Sequence, residues 1–381
     1  MTPDPPALPA QAAPPGRPAR PGRPARPDRA DRSARPDRAD RSDRPEQSGR
    51  ADRSRHPDRA DRPDHPALLP ALTARLAATV HPDPGGAPCS CVTSPLADRP
   101  DATVVRHAGT VAKAHAPGTD ATGLARRLAT AARLPDVLLA PLGPPAPEPT
   151  TVHGRLVTLW PYGAPVDPDD PDAAPWEAAA VLLARLHRAA PPDGLPPMRG
   201  PEKAALAVGR LRAAPDTAPH PAASAVLRAW GALPARARGE APMSGTPALC
   251  HGDLHLGQLV RHPAPDGPWR LIDVDDLGLG DPAWDLARPA AWYACGLLPP
   301  DEWTRFLTAY REAGGPAVPA DGDPWAALDV PARALTVQTA ARALTKAAAA
   351  RRPLDEVELA LVDACARMSS VPHQLTRRFP A

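Results

Sequence analysis

Apolar positions change their period along the chain. "ALLPALTARLAATV" (67–80) spaces them as a helix does. "ATVVRHAGTVAKAHA" (102–116) alternates instead, as two strands around a turn at Ala108-Gly109. "TDATGLARRLATAARL" (119–134) returns to helical spacing, with Thr119 or Asp120 as its N-cap. "GRLVTLWPYG" (154–163) reads as a strand that ends at Pro161. "PWEAAAVLLARLHRA", from 175, starts a helix with proline in the first turn and Leu182, Leu183 and Leu186 on one face. Helical spacing continues over 202–213, 221–238, 301–313, 326–350 and 354–369. The pattern predicts a small α/β unit over 66–160 and a longer, mostly helical section behind it.

Residues 1–65 have almost nothing apolar after residue 13 and carry 15 Arg against 11 Asp and Glu. "ARPDRADRS" occurs at 25–33 and again at 34–42. Such a segment buries too little surface to offset the entropy of ordering, so a disordered Arg/Asp/Pro-rich tail is expected. Its interleaved aspartates weaken any attraction to phosphate, and the formal net charge is only +2, which argues against a nucleic-acid partner.

The chain has 58 prolines, 42 arginines, three lysines, one isoleucine (Ile272) and no asparagine, a bias that fits a GC-rich coding sequence. With 13 aromatic residues, the core must rest on Leu, Val and Ala. Five cysteines fit reduced thiols better than a disulfide framework. Cys89-Ser-Cys91 has no second CxxC or histidine cluster at zinc spacing, and is read as no metal site. "MTPDPPALPAQ" is not a secretory signal, and no apolar run is long enough to span a bilayer. The expectation is a cytoplasmic protein with no membrane partner.

The chemistry gathers in "LCHGDLHLGQLV" (249–260) and "WRLIDVDDLGLGDPAWDLARPAAWYA" (269–294). Asp253 follows a His-Gly turn, Gln258 offers an amide oxygen five residues on, and the apolar strand "RLID" ends on Asp273. Two oxygen ligands on one side of a cleft suit Mg²⁺ with phosphates completing its shell. The separate carboxylate can orient and deprotonate a hydroxyl. Other chemistries lack their signatures: no lysine closes a Walker A loop, His251 and His255 do not form HExxH, and there is no GxSxG elbow.

"HGDLHLGQ" followed by "LIDVDDLGLGDPAWDLA" resembles the aminoglycoside phosphotransferase family, also called the phosphotransferase enzyme family. The resemblance is tight over 251–288 and looser over about 66–370. It implies an α+β, two-lobed protein-kinase-like fold. A small N-lobe (66–160) would hold an antiparallel sheet plus a helix, and a larger, mainly helical C-lobe (161–381) would carry the catalytic loop at 249–288. It implies an ATP- and Mg²⁺-dependent kinase acting on a small-molecule hydroxyl. Asp253 would be the catalytic aspartate, with Asp273 and Gln258 the metal ligands. Gln258 stands where the family usually has asparagine, on a stem one methylene longer. His251, Asp281 and Asp285 would support the catalytic loop. Asp275 and Asp276 are read as solvent-exposed loop acids, with attraction of a cationic substrate group as the alternative.

On the nucleotide side the family's strand lysine corresponds to Lys113, the only lysine in the first 202 residues. Its usual partner, a glutamate on the next helix, is missing, because no glutamate lies between Glu46 and Glu148. Either Lys113 pairs with an aspartate or it stands unbraced, and Asp120 is the one acid at the start of that helix. No GxGxxG precedes the hairpin. The loop "SPLADRPDA" (94–102) is the candidate phosphate contact, through Ser94 or backbone N–H groups. Leu159, Trp160 and Tyr162 fall at the lobe hinge, where backbone groups would meet adenine. The acceptor would be held by 191–248 and 289–370, with Glu202, Trp284, Trp292 and Tyr293 as candidates. Acids in 191–248 are few (Asp193, Glu202, Asp216, Glu240), which does not favour a polycationic aminoglycoside. Gln258, the missing glutamate and the absent glycine loop leave a second possibility, a kinase-like nucleotide-binding protein without efficient turnover.

Overall fold

Leucines four residues apart decide how the first helix sits. In this computed structural model, which describes residues 65–82, 89–143, 150–170, 173–214, 221–243 and 247–370, α1 (His65–Val80) presents Leu68, Leu72 and Leu76, all buried. The expected tail lies outside the described residues, apart from His65. The three leucines pack against Val105, Ala112, Ala114 and Val157 of a five-stranded sheet. Full burial stabilises each by roughly 1.5–3 kcal/mol relative to exposure.

The sheet comprises β1 (Thr93–Arg99), β2 (Ala102–His107), β3 (Thr110–Ala114), β4 (Thr150–Val152) and β5 (Arg155–Pro161). Its order is β1-β2-β3-β5-β4, antiparallel throughout. The hairpin expected around Ala108-Gly109 is β2–β3, and Ala108 takes a left-handed φ of 52° in that turn. The stretch expected as a loop, 94–102, is mostly strand. β1 pairs with β2 from Thr93↔His107 to Arg99↔Ala102, leaving a two-residue turn at Pro100-Asp101. Its prolines obscured the strand, because an edge strand tolerates a missing N–H where a central one does not.

Helix α2 (Ala121–Arg133) follows β3 and is capped by Asp120, which accepts the N–H groups of Thr122 and Gly123. The larger lobe begins beyond β5. It holds β6 (Ala164–Pro165), α3 (Trp176–Arg188), α4 (Gly200–Ala213), α5 (Pro221–Gly231), β7 (Ala248–Cys250), β8 (Leu259–Arg261), β9 (Trp269–Leu271), β10 (Gly278–Gly280), α6 (Ala287–Ala294), α7 (Pro300–Glu312), α8 (Trp325–Ala349) and α9 (Glu356–Ser370). Helix 221–238 is not continuous as expected: α5 stops at Gly231 and a 3-10 turn covers Ala235–Arg238. Pro234 explains the break, since it lacks the N–H a continuing helix needs.

The small strands β6-β8-β9 and β10-β7 form two ribbons that frame the catalytic segment. The backbone of Leu271 in β9 bonds to Val137 and Leu139, just past α2. This joins the two lobes at the base of the cleft. The main core runs through α3, α7 and the buried residues of 249–291, including Leu249, Leu259, Leu271, Phe306 and Tyr310. A second core unites α4, α5, α8 and α9.

Candidate active site

Lys113 lies on β3 between Val104 of β2 and Thr158 of β5. Its side chain is 10 % exposed and points into the cleft. Beyond β9 the chain turns at Asp273, whose φ of 65° is left-handed, a region that aspartate tolerates better than most residues. The turn brings Asp273 Oδ1 to 2.6 Å from Lys113 Nζ. Asp275 Oδ2 stands 3.0 Å from the same ammonium. Burial alone would lower the Lys113 pKa, but the two carboxylates outweigh it and raise it.

Asp275 therefore takes the place of the missing glutamate. It is not the exposed loop acid the sequence suggested. Its other oxygen is 2.8 Å from His115 Nδ1, and His115 Nε2 is 2.8 Å from Thr158 Oγ1. Trp160 Nε1 donates to that hydroxyl at 2.8 Å. One hydrogen arrangement satisfies the chain: Trp160 donates to Thr158, Thr158 to His115 Nε2, and His115 Nδ1–H to Asp275. Burial opposes the Asp275 charge, yet Lys113 and His115 hold the carboxyl well below its ordinary range. Asp120 is occupied in capping α2 and does not brace Lys113. That helix contributes instead a buried arginine, Arg127, whose Nε donates to Leu277 O at 2.9 Å.

The cleft measures about 430 Å³ and is walled by β1–β3, the residues after β5, and the loop at 255–275. Of the expected hinge residues, Trp160 and Tyr162 line it. Leu159 does not, because strand alternation turns it to the opposite face, among the residues packed on α1. Its carbonyl accepts from Leu142 N at 2.8 Å. Tyr162 has its N–H bonded to Gly109 O at 2.8 Å and its ring 3.5 Å beneath the Arg106 guanidinium. Ser94 is not on the cleft wall; Leu96, Ala97 and Arg99 of β1 are.

Two features hold the catalytic loop. Gly252 has φ 82°, and a Cβ there would strike the Asp276 carbonyl, so glycine is required on both counts. Asp285, fully buried, accepts His251 N at 2.6 Å and Gly252 N at 2.7 Å. His187 Nε2 lies 3.0 Å from Asp285 Oδ2, and His187 Nδ1 is 2.8 Å from Tyr310 Oη. Tyr310 accepts Ala317 N, so its own proton can go to His187 Nδ1, leaving His187 Nε2–H to donate to Asp285. His251 reaches Ile272 O through Nε2 at 2.8 Å, coupling the loop to β9. Asp281 differs from expectation. It accepts from Ala283 N and caps the 3-10 turn Pro282–Trp284 without reaching the loop.

Gln258 ends a 3-10 turn beside Asp273, its Nε2 3.4 Å from Asp273 Oδ2. A half-turn of the amide would offer Oε1 at the same place. A carboxylate and an amide oxygen side by side, facing the cleft, are the hard donors Mg²⁺ prefers, so these residues fit that ion. His255 and Gly257 flank them on the cleft wall. Burial, reinforced by the Arg288 charge, lowers the His255 pKa to about 4, so this imidazole is neutral at pH 7.

Asp253 is held from two sides. Lys203 of α4 places Nζ 3.0 Å from Oδ2, and Arg288 of α6 donates to Oδ1 at 2.9 Å. Burial would raise its pKa, but the two cations drive it well below the carboxylate range. The Lys203 ammonium also meets Asp276 at 2.7 Å, so Asp276 is paired as well. Gly200 lets α4 lie flush on Trp284, where a Cβ would come within 2.7 Å of the indole. The pocket beside Asp253 measures only about 20 Å³, lined by Lys203, Trp284, Arg288, Leu335 and Gln338 among others. Of the acceptor candidates, only Trp284 is there. Glu202 is an exposed partner of Arg199. Tyr293 stacks on Trp303 and Trp325, and Trp292 packs against the main core. Sequence reading missed Lys203 and Arg288, although the scarcity of lysine that singled out Lys113 applies equally to Lys203.

A small antiparallel lobe over a helical one, with a lysine–aspartate pair in the cleft and an acid-braced loop behind it, defines a kinase-like phosphotransferase. The chain belongs to the phosphotransferase enzyme family, whose sequence model matches residues 111–329. Solved structures are similar to the chain at low identity. The macrolide 2'-phosphotransferase MphH from Brachybacterium faecium is 19% identical over 80% of this chain and 98% of its own, with a TM-score of 0.44. Choline kinase LicA from Streptococcus pneumoniae is 13% identical over 78% and 96%, with a TM-score of 0.47. Spectinomycin phosphotransferase APH(9)-Ia, in complex with ADP and spectinomycin, is 12% identical over 74% and 93%, with a TM-score of 0.49. No curated protein sequence matches the chain. No helix among the described residues is long and apolar enough to cross a membrane.

Proposed function

We propose that this chain is an ATP-dependent kinase that transfers the γ-phosphoryl group to a hydroxyl of a small molecule. One observation carries the reading: Lys113 and Gln258 meet the two oxygens of Asp273, at 2.6 and 3.4 Å, on the wall of a cleft large enough for a nucleotide. Lys113 steadies the phosphates, and backbone groups around Trp160 to Gly163 meet the base. A magnesium ion held by Asp273 and Gln258 would supply the positive charge that phosphoryl transfer needs at the β- and γ-oxygens. Asp253 orients the acceptor hydroxyl. Its lowered pKa makes it a weak base, so its work is positioning, with proton transfer late in the reaction. Lys203 and Arg288 beside it disfavour a cationic group near the reacting hydroxyl, which supports a neutral or anionic acceptor.

The test measures ADP release with MgATP across a panel of neutral, anionic and cationic hydroxyl compounds, alongside nucleotide binding. Asp253→Ala is expected to abolish transfer and keep nucleotide binding. Transfer near the wild-type rate in that variant would sink the assignment. A second reading, nucleotide binding without efficient turnover, is favoured by the pairing of both Asp253 oxygens. Mg²⁺-dependent ATP binding with no ADP release on any acceptor would select it.

A further inference from the structure

Four side chains unrelated to phosphoryl transfer converge at the far end of the β1–β2 hairpin. His81 follows the last residue of α1, Cys89 and Cys91 precede β1, and His107 ends β2. Their ligand atoms, two imidazole nitrogens and two thiol sulfurs, all lie within 4.8 Å of one another. His81 Nε2 is 3.3 Å from Cys91 Sγ, and His107 Nε2 is 3.4 Å from Cys89 Sγ.

We propose that His81, Cys89, Cys91 and His107 bind one zinc ion as a closed, structural Cys₂His₂ site. With Zn–S near 2.3 Å and Zn–N near 2.0–2.1 Å, a tetrahedron has an N···S edge of about 3.6 Å. The two observed edges are within a few tenths of an ångström of that length. The donor set, two thiolates and two imidazoles, suits zinc among the common divalent ions. Binding expels two thiol protons, so the +2 ion and two thiolates form an electrically neutral cluster. The imidazole of His107 is already oriented for it. Thr93 Oγ1 is 2.6 Å from His107 Nδ1; with Nδ1–H donating to that hydroxyl, the Nε2 lone pair faces Cys89. The His81 and His107 rings meet edge to face at 5.3 Å.

All four positions are filled by protein, so the site has no room for substrate and its role is to brace. It ties the end of α1 to the open end of a hairpin whose other end, at Arg99 and Ala102, lines the nucleotide cleft. This reverses the sequence reading of Cys89-Ser-Cys91. The pattern there is split by a helix end and a strand end, so no local spacing signals it.

The experiment is metal analysis of the full chain, expressed with zinc and purified without chelator. We expect close to one zinc per chain, retained through desalting and lost on exposure to a strong chelator, with a lower melting temperature after removal. Cobalt reconstitution of the wild-type chain should give the strong visible absorption of a tetrahedral, thiolate-bound ion. The double variant Cys89→Ser, Cys91→Ser should bind no zinc, whereas Cys295→Ser should bind as the wild type does. The proposal is overturned by a wild-type chain that takes up neither zinc nor cobalt, by a Cys89–Cys91 disulfide in its place, or by zinc content unchanged in the double variant. The cobalt spectrum needs no variant, so misfolding of the double variant cannot obscure the outcome.

Discussion

Two of the chain's three lysines sit in the cleft region, and each ammonium lies between two aspartates. Lys113 meets Asp273 and Asp275 at 2.6 and 3.0 Å; Lys203 meets Asp276 and Asp253 at 2.7 and 3.0 Å. Their side chains are 10 and 12 % exposed. What surrounds them differs. Lys113 stands on a sheet strand paired on both sides and faces about 430 Å³ of space. Lys203 stands on a helix and faces about 20 Å³, room for one water and little else. On the proposed function, the nucleotide half is preformed, whereas the acceptor half has its reactive carboxylate covered by its own cations. An acceptor would then have to move Lys203 or Arg288, or bring an anionic group that draws them away. This difference would give a mechanism for discrimination: charge read next to the reacting group, in the half that must rearrange.

The largest expected effect is at the carboxylate of the acceptor half. Asp253→Asn should lower kcat by about 10²–10⁴-fold, the usual scale for a positioned acid–base group. Nucleotide affinity should hold within about threefold. Lys113→Ala should weaken nucleotide use by about 10²-fold and also lower stability by about 1–3 kcal/mol, because Asp273 and Asp275 lose their shared cation. Lys203→Ala sharpens the contrast. It should leave nucleotide affinity unchanged and shift acceptor preference toward cationic compounds. Equal effects of the two lysine variants on nucleotide binding would break the comparison between the halves.

Asp275→Asn probes the brace that stands in for the helix glutamate. The neutral amide keeps a contact with His115 but loses its charge beside Lys113, so a stability loss of about 1–2 kcal/mol and weaker nucleotide binding are expected. Gln258→Asn should raise the Mg²⁺ requirement roughly tenfold if the longer arm is what reaches the ion. A requirement unchanged by that shortening would remove Gln258 from the ligand set.

Legibility in the sequence followed locality. The hairpin at 102–114, the cap at Asp120 and the strand leading to Asp273, which ends two residues short of it at Leu271, rest on neighbours in sequence, and a periodic pattern exposes them. The motif residues are likewise local, since His251, Gly252 and Asp253 share a turn. The partners that decide the chemistry are distant. His115 and Asp275 are 160 positions apart, as are Lys113 and Asp273. Nothing in the composition of 269–294 marks Asp275 as a brace and Asp281 as a cap. Strand β1 was hidden for another reason: its edge position admits the proline that reads as a loop. The Cys₂His₂ cluster combines both obstacles, with ligands contributed by a helix end, a coil segment and a strand end.

The smallest expected effect concerns acid. His255 lies on the cleft wall near Asp253, and burial together with Arg288 lowers its pKa from the ordinary 6.5 to about 4. Between those values the unfolded chain holds a proton at this position that the folded chain does not. Unfolding then takes up a proton, so stability rises with pH across this window and is lost as pH falls from about 6.5 towards 4. Asp253 and Asp275 also lose stability on acidification: the unfolded chain takes up their protons at the ordinary carboxylate value while the folded chain holds the pKa lower, so their losses begin near that ordinary value and extend further into acid. His255→Gln should therefore flatten the stability curve between pH 6.5 and 4, by an amount on the order of 1 kcal/mol after allowance for partial solvent access. Denaturant melts of both proteins at stepped pH measure the difference directly. Parallel curves across the window would mean that the His255 imidazole carries its proton in the folded chain, and with it that the cleft wall is wetter and less cationic than the Arg288 contact implies.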